Sequence, residues 1–293
     1  MFKKILKYTF LSIIIIIIFR GARLFAQFKL DDHAMRETSG VAASRIHPGI
    51  LYIHNDSGDS SRFFAINHKG ELKTTFYFKG TLTTNLQGVR DCEDIAVGPG
   101  PDKLKSYIYL GDIGNNSRDR EYLTIYRFEE PEISNQTSSK IINGDPLYIH
   151  YPDGPRDAEA LMIDPIDRLI YIVTKREDSV GVYTVRLDFN ANDTLLLNKK
   201  SQIHLKGVPG LKWITSSDIS ADGSQILIKS YEKVFYWKRK PNEPVWEAVK
   251  SMPEELPYTI ELQGEAIGFD AEGKGYYTIS EGKNAPVYYY KIP

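Results

Sequence analysis

A polar pair followed by an apolar run recurs five times along this chain. It is clearest at Arg90 to Val97, R-D-C-E-D-I-A-V. Degraded copies stand at Arg36 (R-E-T-S-G-V-A-A), Arg156 (R-D-A-E-A-L-M-I), Ile214 (I-T-S-S-D-I-S-A) and Leu262 (L-Q-G-E-A-I-G-F). Each signature is followed by a second apolar run, as in Ile50 to His54 or Leu169 to Val173, and then by a third, aromatic-rich one, as in Phe63 to Asn67 or Val287 to Ile292. The runs are short, rich in Ile, Val, Tyr and Phe, and bounded by Gly, Asp, Asn and Pro, so they read as strands joined by turns. Self-similarity at intervals of roughly 50 to 65 residues is the mark of four-stranded sheets arranged radially. The expected fold is therefore all-β, a five-bladed β-propeller, with six blades as the alternative if Ile133 to Tyr151 supplies more than one strand.

The blades are expected to start at Ser39, Glu93, Glu159, Ser217 and Glu265. Outer strands are expected at Glu71 to Phe78, Pro146 to Tyr151, Ser201 to Leu205 and Trp246 to Met252. The fifth blade stops at Pro293 after three strands, and Leu24 to Leu30 alternates well enough to supply the fourth. Pairing both ends of the chain in one sheet would close the ring without leaving an unpaired edge at the junction.

Composition enters chiefly through the amino terminus. The 293 residues are 42% hydrophobic and 26% charged, ordinary for a globular chain. Residues 1–26 differ: Lys3, Lys4 and Lys7 precede an apolar run from Tyr8 to Phe19, and Ala26 and Gln27 offer a cleavage point. This reads as an export signal followed by a single domain over 27–293. An uncleaved anchor through residues 8–19 is the alternative and the one expected membrane contact. The expected location is periplasmic or extracellular, and the expected state a monomer. The leader carries Lys3, Lys4, Lys7, Arg20 and Arg23 and no acid, so without it the body is acidic, which argues against a nucleic-acid partner. Cys92 is the only cysteine and excludes an intrachain disulfide.

In a propeller the first residues of the inner strands converge on the axis, so Ser39, Glu93, Glu159, Ser217 and Glu265 are expected to form a ring at one mouth of the channel. At about 6 Å and an effective dielectric near 20, each pair of ionised carboxylates would cost roughly 3 kcal/mol. Three glutamates there call for raised pKa values or a cation, and irregular oxygen ligation suits calcium better than magnesium. Alternatively the glutamates accept hydrogen bonds from backbone N–H groups of the next blade and fasten the ring.

Arg36, Arg90 and Arg156 stand three residues before ring positions, each followed by an acid. The turns after the second strands add Asp56, Asp112, Lys175, Arg176 and Lys229 on the same face. Guanidinium groups around a mouth suit bidentate capture of a small anionic ligand. Asp56 or Asp112 could position water beside a cation. Two functions follow: metal-dependent hydrolysis of phosphate or phosphoanhydride esters, or a non-catalytic propeller that binds a ligand or protein and is locked by calcium.

The series Ser, Glu, Glu, Ser, Glu over five units resembles that of the calcium-activated nucleotidases, or apyrases, five-bladed propellers with calcium in the central channel. That resemblance implies calcium ligation by Ser39, Glu93, Glu159, Ser217 and Glu265. Asn55 to Gly58 is similar to that family's D-D-x-T-G segment. Over nearly the whole body the chain resembles a group of uncharacterised exported bacterial propellers, through Glu93 to Pro99, Gly111 to Asn116, Tyr151 to Ala160, Thr174 to Arg176 and Gly264 to Asp270. This second resemblance implies the fold and export, and no activity.

Overall fold

A computed structural model of the chain describes residues 24–80, 89–133 and 137–292. Residues 1–23 of the expected leader lie outside them. Strand β1 (Leu24–Lys29) comes first. Blade one follows with β2 (Thr38–Ala43), β3 (Ile50–Asn55), β4 (Arg62–Asn67) and β5 (Leu72–Phe78). Blade two has β6 (Cys92–Pro99), β7 (Ser106–Asp112) and β8 (Leu123–Glu129). The chain then makes β9 (Ser138–Ile142) and returns as β10 (Asp145–His150). Blade three has β11 (Ala158–Asp164), β12 (Leu169–Thr174) and β13 (Val180–Arg186), then β14 (Thr194–Leu196) and β15 (Asn198–Ile203). Blade four has β16 (Ile214–Ile219), β17 (Gln225–Ser230), β18 (Val234–Lys238), one helical turn α1 (Val245–Ala248) and β19 (Glu254–Leu256). Blade five has β20 (Gly264–Phe269), β21 (Gly275–Ser280) and β22 (Pro286–Lys291).

The protein is a five-bladed β-propeller. Blade five is completed by β1, antiparallel to β22 with Phe28 opposite Val287 and Gln27 opposite Tyr288, as the leftover alternating stretch implies. The inner strand β2 packs against both β6 and β20, which closes the ring. Gly268 is needed at that closure, because a Cβ there would lie 2.2 Å from the Val41 carbonyl oxygen.

Apolar residues cover both faces of each blade, because each blade is packed between two others. The core is consequently divided among the blade interfaces. Tyr109, Ile125 and Leu147 of blade two meet Leu161 and Tyr183 of blade three. Leu227 and Tyr236 of blade four meet Ile267 and Tyr276 of blade five.

Three outer features depart from the sequence reading. The stretch Ile133 to Tyr151 does hold two strands, but it makes no sixth blade. Instead β9 adds to blade one, parallel to β5, and β10 becomes the fourth strand of blade two. Likewise β14 adds parallel to β10, so two outer edges are covered by strands from the next excursion. In blade four Trp246 to Met252 is not the outer strand. Pro244, with φ near −65°, is preset to begin the α1 turn, and Trp246 stacks on Tyr171 of blade three. The fourth strand is the later β19.

Buried aspartates fasten the inner strands. Asp94 accepts hydrogen bonds from the N–H groups of Ile95 (3.0 Å), Leu161 (2.9 Å) and Ser217 (3.1 Å), and from the Ser216 hydroxyl (2.9 Å). It thereby joins blades two, three and four. Asp218 accepts from Ile219 (2.8 Å) and from Phe269 (2.8 Å) of blade five. Fastening by backbone N–H groups thus falls to aspartates one residue beyond the glutamates or deeper in the channel.

Candidate metal centre

All five inner strands begin with a β-bulge. The register skips Ser39 in β2, Glu93 in β6, Glu159 in β11, Thr215 in β16 and Glu265 in β20. A bulge leaves its extra residue out of the ladder and re-aims its side chain, here at the mouth. Thr215 therefore holds the fourth ring position, and Ser217 lies two residues deeper. The resemblance of Asp218-Ile219 to Asp94-Ile95 displaces the sequence alignment by those two residues.

The ring positions have different surroundings. The Ser39 hydroxyl donates to the Glu93 carbonyl (2.8 Å), and Glu159 is salt-bridged to Lys175. The Ser217 Oγ is buried without a partner among the described residues. Glu93 and Glu265, 2% and 6% exposed, face other acids. Asp56, Asp91 and Glu93 bring carboxylate oxygens within 4.8 Å of one another, and so do Asp56, Glu265 and Glu281.

Local structure positions each of these groups. Asp56 follows β3 in the N-D-S-G turn, its N–H bonded to the Glu37 carbonyl (2.7 Å), with Gly58 at φ 82°. Asp91 is held by its backbone: its N–H donates to Asp112 (3.0 Å) and its carbonyl accepts from Gly114 (3.1 Å). Glu281 follows β21 and accepts from the Gln263 amide (2.6 Å). The Tyr231 hydroxyl donates to one Glu265 oxygen (2.8 Å) and accepts from Lys175 (3.2 Å). Gly114 makes room for the acids, since a Cβ there would lie 2.1 Å from Glu93 Oε1 and 2.4 Å from Asp91 Oδ2.

Burial and like charge act together on this cluster. Burial, helped by Asp91 and Glu265, pushes Asp56 up to about 7. Burial, with Glu265 and Asp56 nearby, pushes Glu281 up to about 8. Asp91 is raised to about 6 by burial, with Arg120 opposing the rise. Glu93 is raised well above the carboxylate range by burial, then by Asp56 and Asp91. Buried oxygens of Asp56, Glu159 and Glu265 find no hydrogen-bond donor among the described residues.

Other candidates are engaged elsewhere. Asp112 is buried in a salt bridge to Arg120 (2.8 Å) and caps the N–H groups of Arg90 (3.2 Å) and Asp91, so it anchors the Asp91 loop. Arg90 forks onto Asp119 (3.0 and 2.8 Å), not onto its neighbour Asp91. Arg36 lies 3.8 Å from Glu37, and Arg156 bridges Asp153 (2.9 Å) and Glu177 (3.1 Å). Arg176 is held by Asp157 and lies over the Trp213 ring. Lys229 is buried, donates to the Gly264 and Ser230 carbonyls, and is lowered to about 7 by burial.

The sequence reading has Asp91 only as the acid after Arg90, and Tyr231 and Glu281 only within the turns after the second strands, none of them as a site residue. The residues just after the second strands, Asp56, Ile113, Lys175, Tyr231 and Glu281, form a second set of equivalent positions at the mouth. Aligned on the end of the second strand, Glu281 is the equivalent of Asp56.

No known family model matches the chain, and no curated protein matches it.

Proposed function

We propose that the protein is an exported propeller that binds divalent cations at the mouth of its channel, and that calcium is the preferred ion. The carrying observation is that Asp56, Asp91, Glu93, Glu265 and Glu281 lie together with no ion pair among the described residues, while buried oxygens of Asp56 and Glu265 lack any donor. Uncompensated buried carboxylates are costly, and a cation removes the cost. The donor set fits: it is all oxygen, comes from separate blades and is irregular, which suits the longer bonds of calcium. Asp56, Asp91 and Glu93 on one side, and Glu265 and Glu281 on the other, are the expected ligands. The bound ion would neutralise the mouth and tie blades one, two and five together. Glu159 is left out of this set because it is ion-paired with Lys175, whose charge also reaches Glu93 and Glu265.

This reading favours the binding module over the hydrolase. Arg36, Arg90, Arg156, Arg176 and Lys175 all sit in salt bridges, and Lys229 is enclosed by backbone carbonyls. An anionic ester would find no free clamp among them.

The test is the melting temperature of the purified protein in chelator, then with calcium or magnesium titrated back, for wild type, Glu93→Gln and Glu265→Gln. Calcium at a hundredfold its Kd should stabilise by about 2.7 kcal/mol, which for a domain of this size is a rise of roughly 5 to 10 °C. Magnesium should do less, and each variant should lose a clear part of the rise. No response to either ion in wild type would overturn the reading.

A further inference from the structure

We infer that the mouth holds two divalent cations, with Asp56 shared between them; this rests on the cation reading above. The five free carboxylates do not form one group. They form two triads, Asp56 with Asp91 and Glu93, and Asp56 with Glu265 and Glu281, whose ligand atoms lie within 4.8 Å of one another. Calcium bonds oxygen at about 2.3 to 2.6 Å, so two ligands on opposite sides of one ion stand about 5 Å apart at most. Each triad meets that limit, and among the described residues no group within 4.8 Å holds both Glu93 and Glu265. The blades explain the division. Asp91 and Glu93 belong to blade two, Glu265 and Glu281 to blade five, and Asp56 to blade one, which lies between them in the ring.

One further observation points to an ion at the blade-five position. Glu265 is 6% exposed, and while Tyr231 holds its Oε1, its Oε2 is buried with no donor. In the other triad, Glu93 Oε1 and Asp91 Oδ2 pack directly against Gly114, where a Cβ would displace them. Charge argues the same way. Arg120, Arg176 and Lys175 already neutralise Asp112, Asp157 and Glu159. With all five remaining carboxylates ionised, one divalent ion would leave three negative charges, and two ions leave one.

The test counts ions. The purified full chain is stripped with chelator, dialysed to equilibrium against calcium, and its bound calcium measured by elemental analysis, with isothermal titration giving affinities. Wild type should hold two equivalents. Asp91→Asn and Glu281→Gln should each hold one, and Asp56→Asn should weaken both sites by at least tenfold. Circular dichroism in chelator checks that the variants fold, and Glu281→Asp, which keeps the charge, should keep two ions. One equivalent in wild type would overturn the shared site and leave the cation reading standing. No bound calcium would overturn both. Two equivalents that neither Asp91→Asn nor Glu281→Gln reduces would also sink the assignment.

Discussion

Glu93 and Asp94 are neighbours in sequence and both buried, yet they belong to regions with opposite character. Asp94 lies in the channel wall with three backbone N–H groups and one hydroxyl aimed at it. Glu93 sits on the bulge one residue earlier and faces Asp91 and Asp56. Both carboxyls are raised by burial, but hydrogen bonds oppose the rise at Asp94 and further acids add to it at Glu93. Burial of an acid therefore does not define a site. The number of donors supplied with it does. Asp94 and Asp218 are fasteners, whereas the mouth carboxylates are provided with few donors.

Removing a fastener should have the largest effect. Asp94→Ala leaves three backbone N–H groups without this acceptor across three blades, and at roughly 1 to 3 kcal/mol per unsatisfied buried group the loss should be at least about 3 kcal/mol. Urea denaturation in chelator measures it, and the protein that remains folded should still be stabilised by calcium. If Asp94→Ala abolished the calcium response while costing no more than Glu93→Gln, the two regions would not be distinct.

The pH dependence of the fasteners sharpens the contrast. Burial raises Asp218 to about 6, with Arg45 and the N–H groups of Phe269 and Ile219 opposing the rise. A carboxyl raised in the folded state favours folding while it is protonated, and that contribution is lost as pH rises through the folded pKa. Wild type should thus lose on the order of 2 to 3 kcal/mol through this group between pH 4 and pH 7. Asp218→Asn does not titrate, so its deficit relative to wild type should be larger at pH 4 than at pH 7. Denaturation curves at both pH values test this, and a deficit that grew with pH would reverse the assignment.

The rim supplies the smallest effect. Arg90→Ala breaks an exposed pair with Asp119 and should change stability by no more than about 0.5 kcal/mol. Calcium affinity should stay within about threefold, since Arg90 pairs away from the cluster. A tenfold change by titration would show that the rim and the mouth are one unit.

The repeated signature was enough to establish the blades, the amino-terminal closing strand and four of the five ring positions, because inner strands follow one pattern in every blade. Short apolar runs and the turn residues that bound them are local properties, and local properties are written along the chain. Outer strands were less legible: β9 and β14 pair parallel to strands far away in sequence, and Pro244 turned the expected strand at Trp246 into a helical turn.

The mouth shows the same division. Glu93 and Glu265 could be read from the repeat, and Asp56 from its turn. Only the tertiary structure decided that Lys175 takes Glu159, that Arg90 turns to Asp119, and that Asp91 and Glu281 join the acids instead. Those choices depend on which side chains from different blades meet at the axis, and on which of them find a partner first. A residue type and its spacing determine what an acid could do; the donors and cations that the closed ring brings within reach determine what it does.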